Sequence, residues 1–114
     1  MKSQIAVLVL LSSALATSQA QTETPIPRSV PGDIGRYFLI ESKKTGSTVT
    51  AVHKRVGVDA VGYTKTETNC NTRMMRELGY GEGSPRSIKG PTTKWFELVE
   101  GSSKADVAAF LCSR

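Results

Sequence analysis

Two cysteines, Cys70 in the middle of the chain and Cys112 near its end, constrain this sequence more than any other residues. What they can do depends on the compartment, and the first twenty residues bear on that. Lys2 is followed by the apolar run Ile5-Ala6-Val7-Leu8-Val9-Leu10-Leu11 and then by small residues up to Ser18-Gln19-Ala20. One positive charge, a short apolar core and a small-x-small ending form the pattern of a secretory signal peptide. The run is too short to cross about 30 Å of hydrocarbon. Cleavage is expected after Ala20, with Ala14-Leu15-Ala16 as the alternative. A buried N-terminal helix is the competing reading, and it leaves the charge and cleavage pattern as coincidence. No cysteine lies near the cleavage region, so a lipid-attached N-terminus is not expected. The product is expected to be soluble, and periplasmic or secreted.

Export changes the meaning of the cysteines. An oxidising compartment lets disulfides form, and two cysteines allow only one intramolecular pair, Cys70 with Cys112. Closing a loop of that length stabilises by about 4 kcal/mol in the chain-entropy model. A thiol nucleophile needs an activating base, and a metal site needs three or four ligands. The chain offers a single histidine and no Cys-x-x-Cys, so a structural disulfide is the expected use.

Three units follow: a signal peptide over 1–20, a proline-rich leader over 21–35, and a single domain over 36–114. The leader carries Pro25, Pro27 and Pro31. Proline fixes φ and lacks an N–H, so an extended piece without a ladder of its own is expected, with order beginning at Arg36. Tyr37-Phe38-Leu39-Ile40 then opens a β pattern, and Gly46 supplies a turn. Along 47–56, Val49, Ala51 and His53 share one face and Thr50, Val52 and Lys54 the other. Thr64, Thr66, Thr68 and Cys70 alternate on one face of the next segment. The segment 71–80 is ambiguous. Met74, Arg76, Leu78 and Tyr80 alternate as in a strand, whereas Met, Arg, Glu and Leu favour helix. The strand is preferred, with Met74 or Met75 returning to the core.

Near the end, Trp95-Phe96-Glu97-Leu98-Val99 reads as a short strand-like segment covering the core. Ser103 with Asp106 three residues on resembles a capping box. Val107, Phe110 and Leu111 then recur at i, i+3 and i+4, one stripe of a helix too short to persist alone. The fold class expected is α+β: a small antiparallel meander of about four strands, a C-terminal helix packed on it, and one disulfide.

The run Asn69-Cys70-Asn71-Thr72-Arg73, then Trp95, then Val99-x-Gly101-Ser102, then a helix ending in Cys112 resembles the surface-adhesin protein E-like domains of Gram-negative bacteria. The resemblance covers about residues 36–112. It implies a small exported domain whose twisted antiparallel sheet is joined by a disulfide to a C-terminal helix. Members often carry an acidic residue before the first cysteine and a proline before the Gly-Ser, where this chain has Asn69 and Glu100. No binding residue transfers to this chain through the resemblance.

Chemistry has few candidates. General acid–base or nucleophilic catalysis needs a base and an oriented partner. His53 has none at suggestive spacing, and Asp59 is the only carboxylate offered beside it in a hydrolase reading. The glycines of 79–83 lack the following helix and lysine of a phosphate loop. No catalytic, cofactor-binding or metal-ligating residue is therefore assigned, and no enzyme activity is expected. The formal net charge is +5; Lys2 is the only charge in the first twenty residues, leaving +4 beyond them. The basic residues are scattered, so weak polyanion binding is compatible with them but a nucleic-acid partner is not expected. The leading expectation is an exported, non-enzymatic, adhesin-like module. It would bind an envelope or host matrix protein through an exposed sheet face or an edge strand. The alternative is a periplasmic inhibitor or immunity protein acting through a protruding loop over 79–94.

Overall fold

A computed structural model describes residues 23–30 and 32–114; the expected signal peptide lies outside the described residues. Six antiparallel strands pair in sequence order: β1 (Thr24–Pro25), β2 (Arg36–Thr45), β3 (Thr48–Val56), β4 (Val61–Asn69), β5 (Met74–Glu82) and β6 (Phe96–Glu97). Helix α1 (Ser103–Cys112) follows. The meander is therefore longer than the four strands expected, because two-residue strands pair at both edges. Four long strands carry the sheet, as the alternation implied.

Local chemistry explains the connections. Thr45 pairs with Thr48 across a two-residue link in which Gly46 adopts φ 62°, a conformation glycine takes without steric cost. Between β4 and β5, the Asn69 side chain accepts the N–H groups of Asn71 and Thr72. This Asx-type turn reverses the chain and starts 74–82 as a strand. Segment 71–80 thus resolves as turn and strand: pairing with β4 and β6 outweighs the helix propensity of Met74, Met75 and Leu78.

Register assigns the faces. Val49 pairs with Thr68 and Ala51 with Thr66, and Thr68 pairs in turn with Met75. All five side chains are buried, Met75 completely. Against them α1 lays Val107, Ala108 and Leu111, with Phe110 at the margin, and Ile26, Tyr37 and Leu39 complete the core. Cys70 and Cys112 are bonded, S–S 2.07 Å, tying the end of β4 to the last turn of α1.

The expected lack of pairing in the leader is corrected. Thr24 and Pro25 pair with Leu39 and Phe38, the Ile26 N–H donates to the Tyr37 carbonyl at 2.9 Å, and Ile26 is buried. Proline at an edge strand is tolerated because its missing donor faces away from the ladder. Beyond Ile26 the leader clasps the helix. Asp106 accepts from Arg28 Nε at 2.7 Å, from the Ser29 N–H at 3.0 Å and from Ser29 Oγ at 2.7 Å. Asp106 is consequently not a capping-box residue. Ser102 caps the helix instead, its hydroxyl accepting the Ala105 N–H at 3.1 Å.

Trp95 also departs from expectation. Alternation through β6 sends Phe96 to the core and leaves Trp95 38% exposed over the Arg76 guanidinium, 4.8 Å from its ring centre. It does not cover the core.

Two core threonines have no hydrogen-bond partner at Oγ1, Thr66 and Thr68. A buried hydroxyl without a partner costs about 1–3 kcal/mol. Thr66→Val keeps the branched shape and removes that group, so it is expected to raise unfolding free energy by about 1 kcal/mol. Chemical denaturation checks this; a lower midpoint for the variant would contradict the packing described.

Candidate binding surface

With α1 on one side, the opposite face of the four long strands carries no α-helix; the short 3-10 turn Pro85–Ser87 and the return through Lys89 cover its β5 end over Gly79 and Gly81, and the rest is open. The pairs Phe38–Lys54–Tyr63, Val52–Lys65 and Glu67–Arg76 place alternate side chains on that face. Bulges at Ile40 in β2 and Leu78 in β5 interrupt the register. Leu78 lines the outer face beside Val52 and Ile88, giving it an apolar floor. Ile40 is buried but stands apart from the helix-side core.

Unpaired charge on this face is mostly positive. Arg36 and Lys54 both lie over the Phe38 ring, at 5.7 and 5.5 Å. Lys54 is paired with Glu23 at 2.7 Å, and Arg76 with Glu67 at 2.7 Å. Among the described residues, Arg36, Lys43, Lys65 and Lys89 have no carboxylate within ion-pair distance, and the unpaired acids of the face are Glu41 and, at the β6 edge, Glu97. Two hollows of about 280 and 410 Å³ adjoin on this face, sharing Glu41, Val52 and Lys65. Lys43 borders the first and Lys89 the second. The basic residues look scattered in sequence because period-two alternation interleaves them with core positions.

The stretch 79–94 does not protrude. Tyr80 and Lys89 exchange backbone hydrogen bonds, and the Thr93 N–H donates to the Glu77 carbonyl. Gly79 and Gly81 are strand residues whose missing side chains admit this return. A Cβ on Gly79 would meet the Lys89 carbonyl group at 2.9 Å, and one on Gly81 would collide with Ser87. The glycines thus serve close backbone approach, a use that spacing alone did not reveal.

His53 and Asp59 are not brought together as a catalytic pair. His53 lies on the helix side, 5% exposed, between Leu39 and Thr64 across the ladders. Asp59 is exposed in the turn between β3 and β4, and does not line the cavity beside His53. Burial, aided by the Lys104 charge, pushes the His53 imidazole down to about 4, so it is neutral at neutral pH. Met75 is core and Met74 half-buried, as filler rather than ligands. Among the described residues no group of three His, Cys, Asp or Glu is placed to hold a metal ion, and no helix is long and apolar enough to cross a membrane.

Two carboxylates on the helix side titrate low. Asp33 accepts from Arg55, the Gly35 N–H and the Tyr37 hydroxyl, and is held far below the usual range chiefly by Arg55. Burial works to raise Asp106, but the hydrogen bonds from Arg28 and Ser29 hold it below the ordinary value.

No family model, no curated protein and no solved structure matches the chain. The likeness to the protein E-like adhesins rests on the residue pattern Asn69-Cys70-Asn71-Thr72-Arg73, Trp95, Gly101-Ser102 and Cys112 alone.

The His53 shift has a pH consequence. Its folded value lies below the unfolded value of about 6.5, so protons bind preferentially to the unfolded chain. Stability from this group is complete above about pH 6.5 and declines toward pH 4, by about 3 kcal/mol in all. Asp106 adds a separate loss at still lower pH, as its carboxylate is protonated. Thermal unfolding between pH 4 and 8 checks the first part: His53→Gln is expected to flatten the profile above pH 4. An unchanged slope in the variant would contradict the assignment.

Proposed function

We propose that this chain is an exported, non-enzymatic binding module of the bacterial envelope, adhesin-like in action. Its open sheet face would be the contact surface for an envelope or host matrix protein. Export is supported by the signal-like first twenty residues together with the disulfide, which forms and persists in an oxidising compartment. After removal of the signal, the chain would reside in the periplasm or be released.

One observation carries the assignment of the surface: the helix occupies one face, while the other presents four unpaired basic side chains, Arg36, Lys43, Lys65 and Lys89, against two unpaired acids, Glu41 and Glu97. A surface of one sign steers an oppositely charged partner and sets its orientation. The apolar floor of Val52, Leu78 and Ile88 adds area that a complementary side chain can cover. The aromatic rings of Phe38 and Trp95, each under a cation, supply rigid contact area at small entropic cost. Acidic groups on the partner are the expected complement.

Charge reversal tests this. A Lys43→Glu, Lys65→Glu, Lys89→Glu chain should lose at least about tenfold in retention on immobilised matrix proteins or envelope extract, about 1.4 kcal/mol. Arg114→Glu, beyond α1, should leave retention unchanged. Wild-type binding should also weaken as salt shortens the screening length. Equal retention of the triple variant and the wild type would overturn the placement.

A further inference from the structure

The helix side has a second feature, separate from the surface just proposed. Helix α1 starts at Ser103 and covers the rows of Ala51–Thr66 and Val49–Thr68, but the sheet extends two rows farther. Those rows, His53–Thr64–Tyr80 and Arg55–Gly62–Glu82, form with the helix start a cavity of about 340 Å³. That volume lies within the range of sites for small organic molecules. Gly62 keeps the floor low: a Cβ there would meet Tyr80 Oη at 2.6 Å, so the Tyr80 ring lies across it as a wall.

We propose that this cavity binds a small zwitterion, a free amino acid or short peptide carrying both an ammonium and a carboxylate group.

The wall at α1 suits the carboxylate. Ser103 and Lys104 are the first two residues of the helix, where backbone N–H groups have no intrahelical acceptor and the macrodipole is positive. Lys104 adds a full charge. A helix start alone would say little, but His53 lines the same cavity, 5% exposed, with Nδ1 buried and without a hydrogen-bond partner. A buried polar atom left unpaired is costly, and a turn of the ring would bring Nδ1 to a molecule held in the cavity.

The carboxylates suit the ammonium. Glu77 stands beside Lys104 at the helix start, and Glu82 lies at the end of the cavity away from the helix, across from Gly62. The four charged side chains in the lining, Arg55, Lys104, Glu77 and Glu82, cancel in sum. Arg55 is held by Asp33, Glu77 by Lys104 at 3.1 Å, and Glu82 accepts from the Tyr80 hydroxyl at 3.2 Å. The Lys104–Glu77 pair is partly exposed, and such pairs contribute little. A zwitterion seated between them exchanges one weak pair for two. A ligand of one sign would meet repulsion from the charges of its own sign, whereas a molecule of both signs meets a complement for each.

The test is a titration of the oxidised chain with phenylalanine and glycylphenylalanine, followed by backbone amide and His53 ring signals in NMR spectra. Saturable shifts at Ser103, Lys104 and His53 are expected with the free compounds. The N-acetyl and C-amide forms should each bind at least about tenfold more weakly. Glu82→Gln, at an exposed position, should weaken the free compound while leaving the N-acetyl form unaffected. Absence of saturable shifts with both free compounds would overturn the proposal. Equal affinity for free and N-acetyl forms would also overturn it, by showing a carboxylate site only. Neither result bears on the sheet face, which is probed by matrix retention.

Discussion

A ten-residue helix does not hold itself together in water, and α1 persists through what fastens it from outside. Its last turn is bonded to the end of β4 through Cys112 and Cys70. Its first turn is gripped through Asp106, whose two carboxylate oxygens take the Arg28 guanidinium and both donors of Ser29. Between these fastenings Val107, Ala108 and Leu111 press on Val49, Ala51 and Met75. The remaining organisation depends on this arrangement. It fixes which sheet face is core, draws the leader onto the helix, and leaves the opposite face to the return through Lys89 and to solvent.

Much of the architecture was legible because it follows from period and covalent chemistry. Val49, Ala51 and His53 alternate, and so do Thr64, Thr66 and Thr68; the ladders bring these rows together on the helix side as the alternation required. The cysteine pairing followed from there being only one option. Three features were not legible. Pro25 and Pro27 argued against pairing, yet an edge strand tolerates proline and Ile26 finds a place in the core. Asp106 matched a local capping pattern, but its partners lie 77 and 78 residues away in sequence. Trp95 was read as core because it is large and apolar, whereas the one-residue shift of a two-residue strand gave that place to Phe96.

The candidate surfaces follow a similar division. The sequence shows basic residues mixed with acidic ones, and no count reveals that Lys43, Lys65 and Lys89 border one run of hollows. That needs the register, including the bulges that a period-two reading cannot place. His53 looked like an isolated residue with no partner in reach, and it is buried with an unpaired nitrogen. What sequence could not supply was the helix start brought beside it, which turns a lone histidine into one wall of a polar cavity. The helix side of the strands thus holds both the packed core and the polar cavity, and the opposite side most of the unpaired basic residues.

The central claim is that α1 depends on fastenings outside itself, and amide hydrogen exchange on the oxidised and reduced chain tests it most directly. The account predicts that reduction of Cys70–Cys112 lowers protection in α1 by more than in β3 and β4, beginning in the turn that carries Cys112. Equal losses in helix and sheet, or an α1 as protected as before, would contradict it.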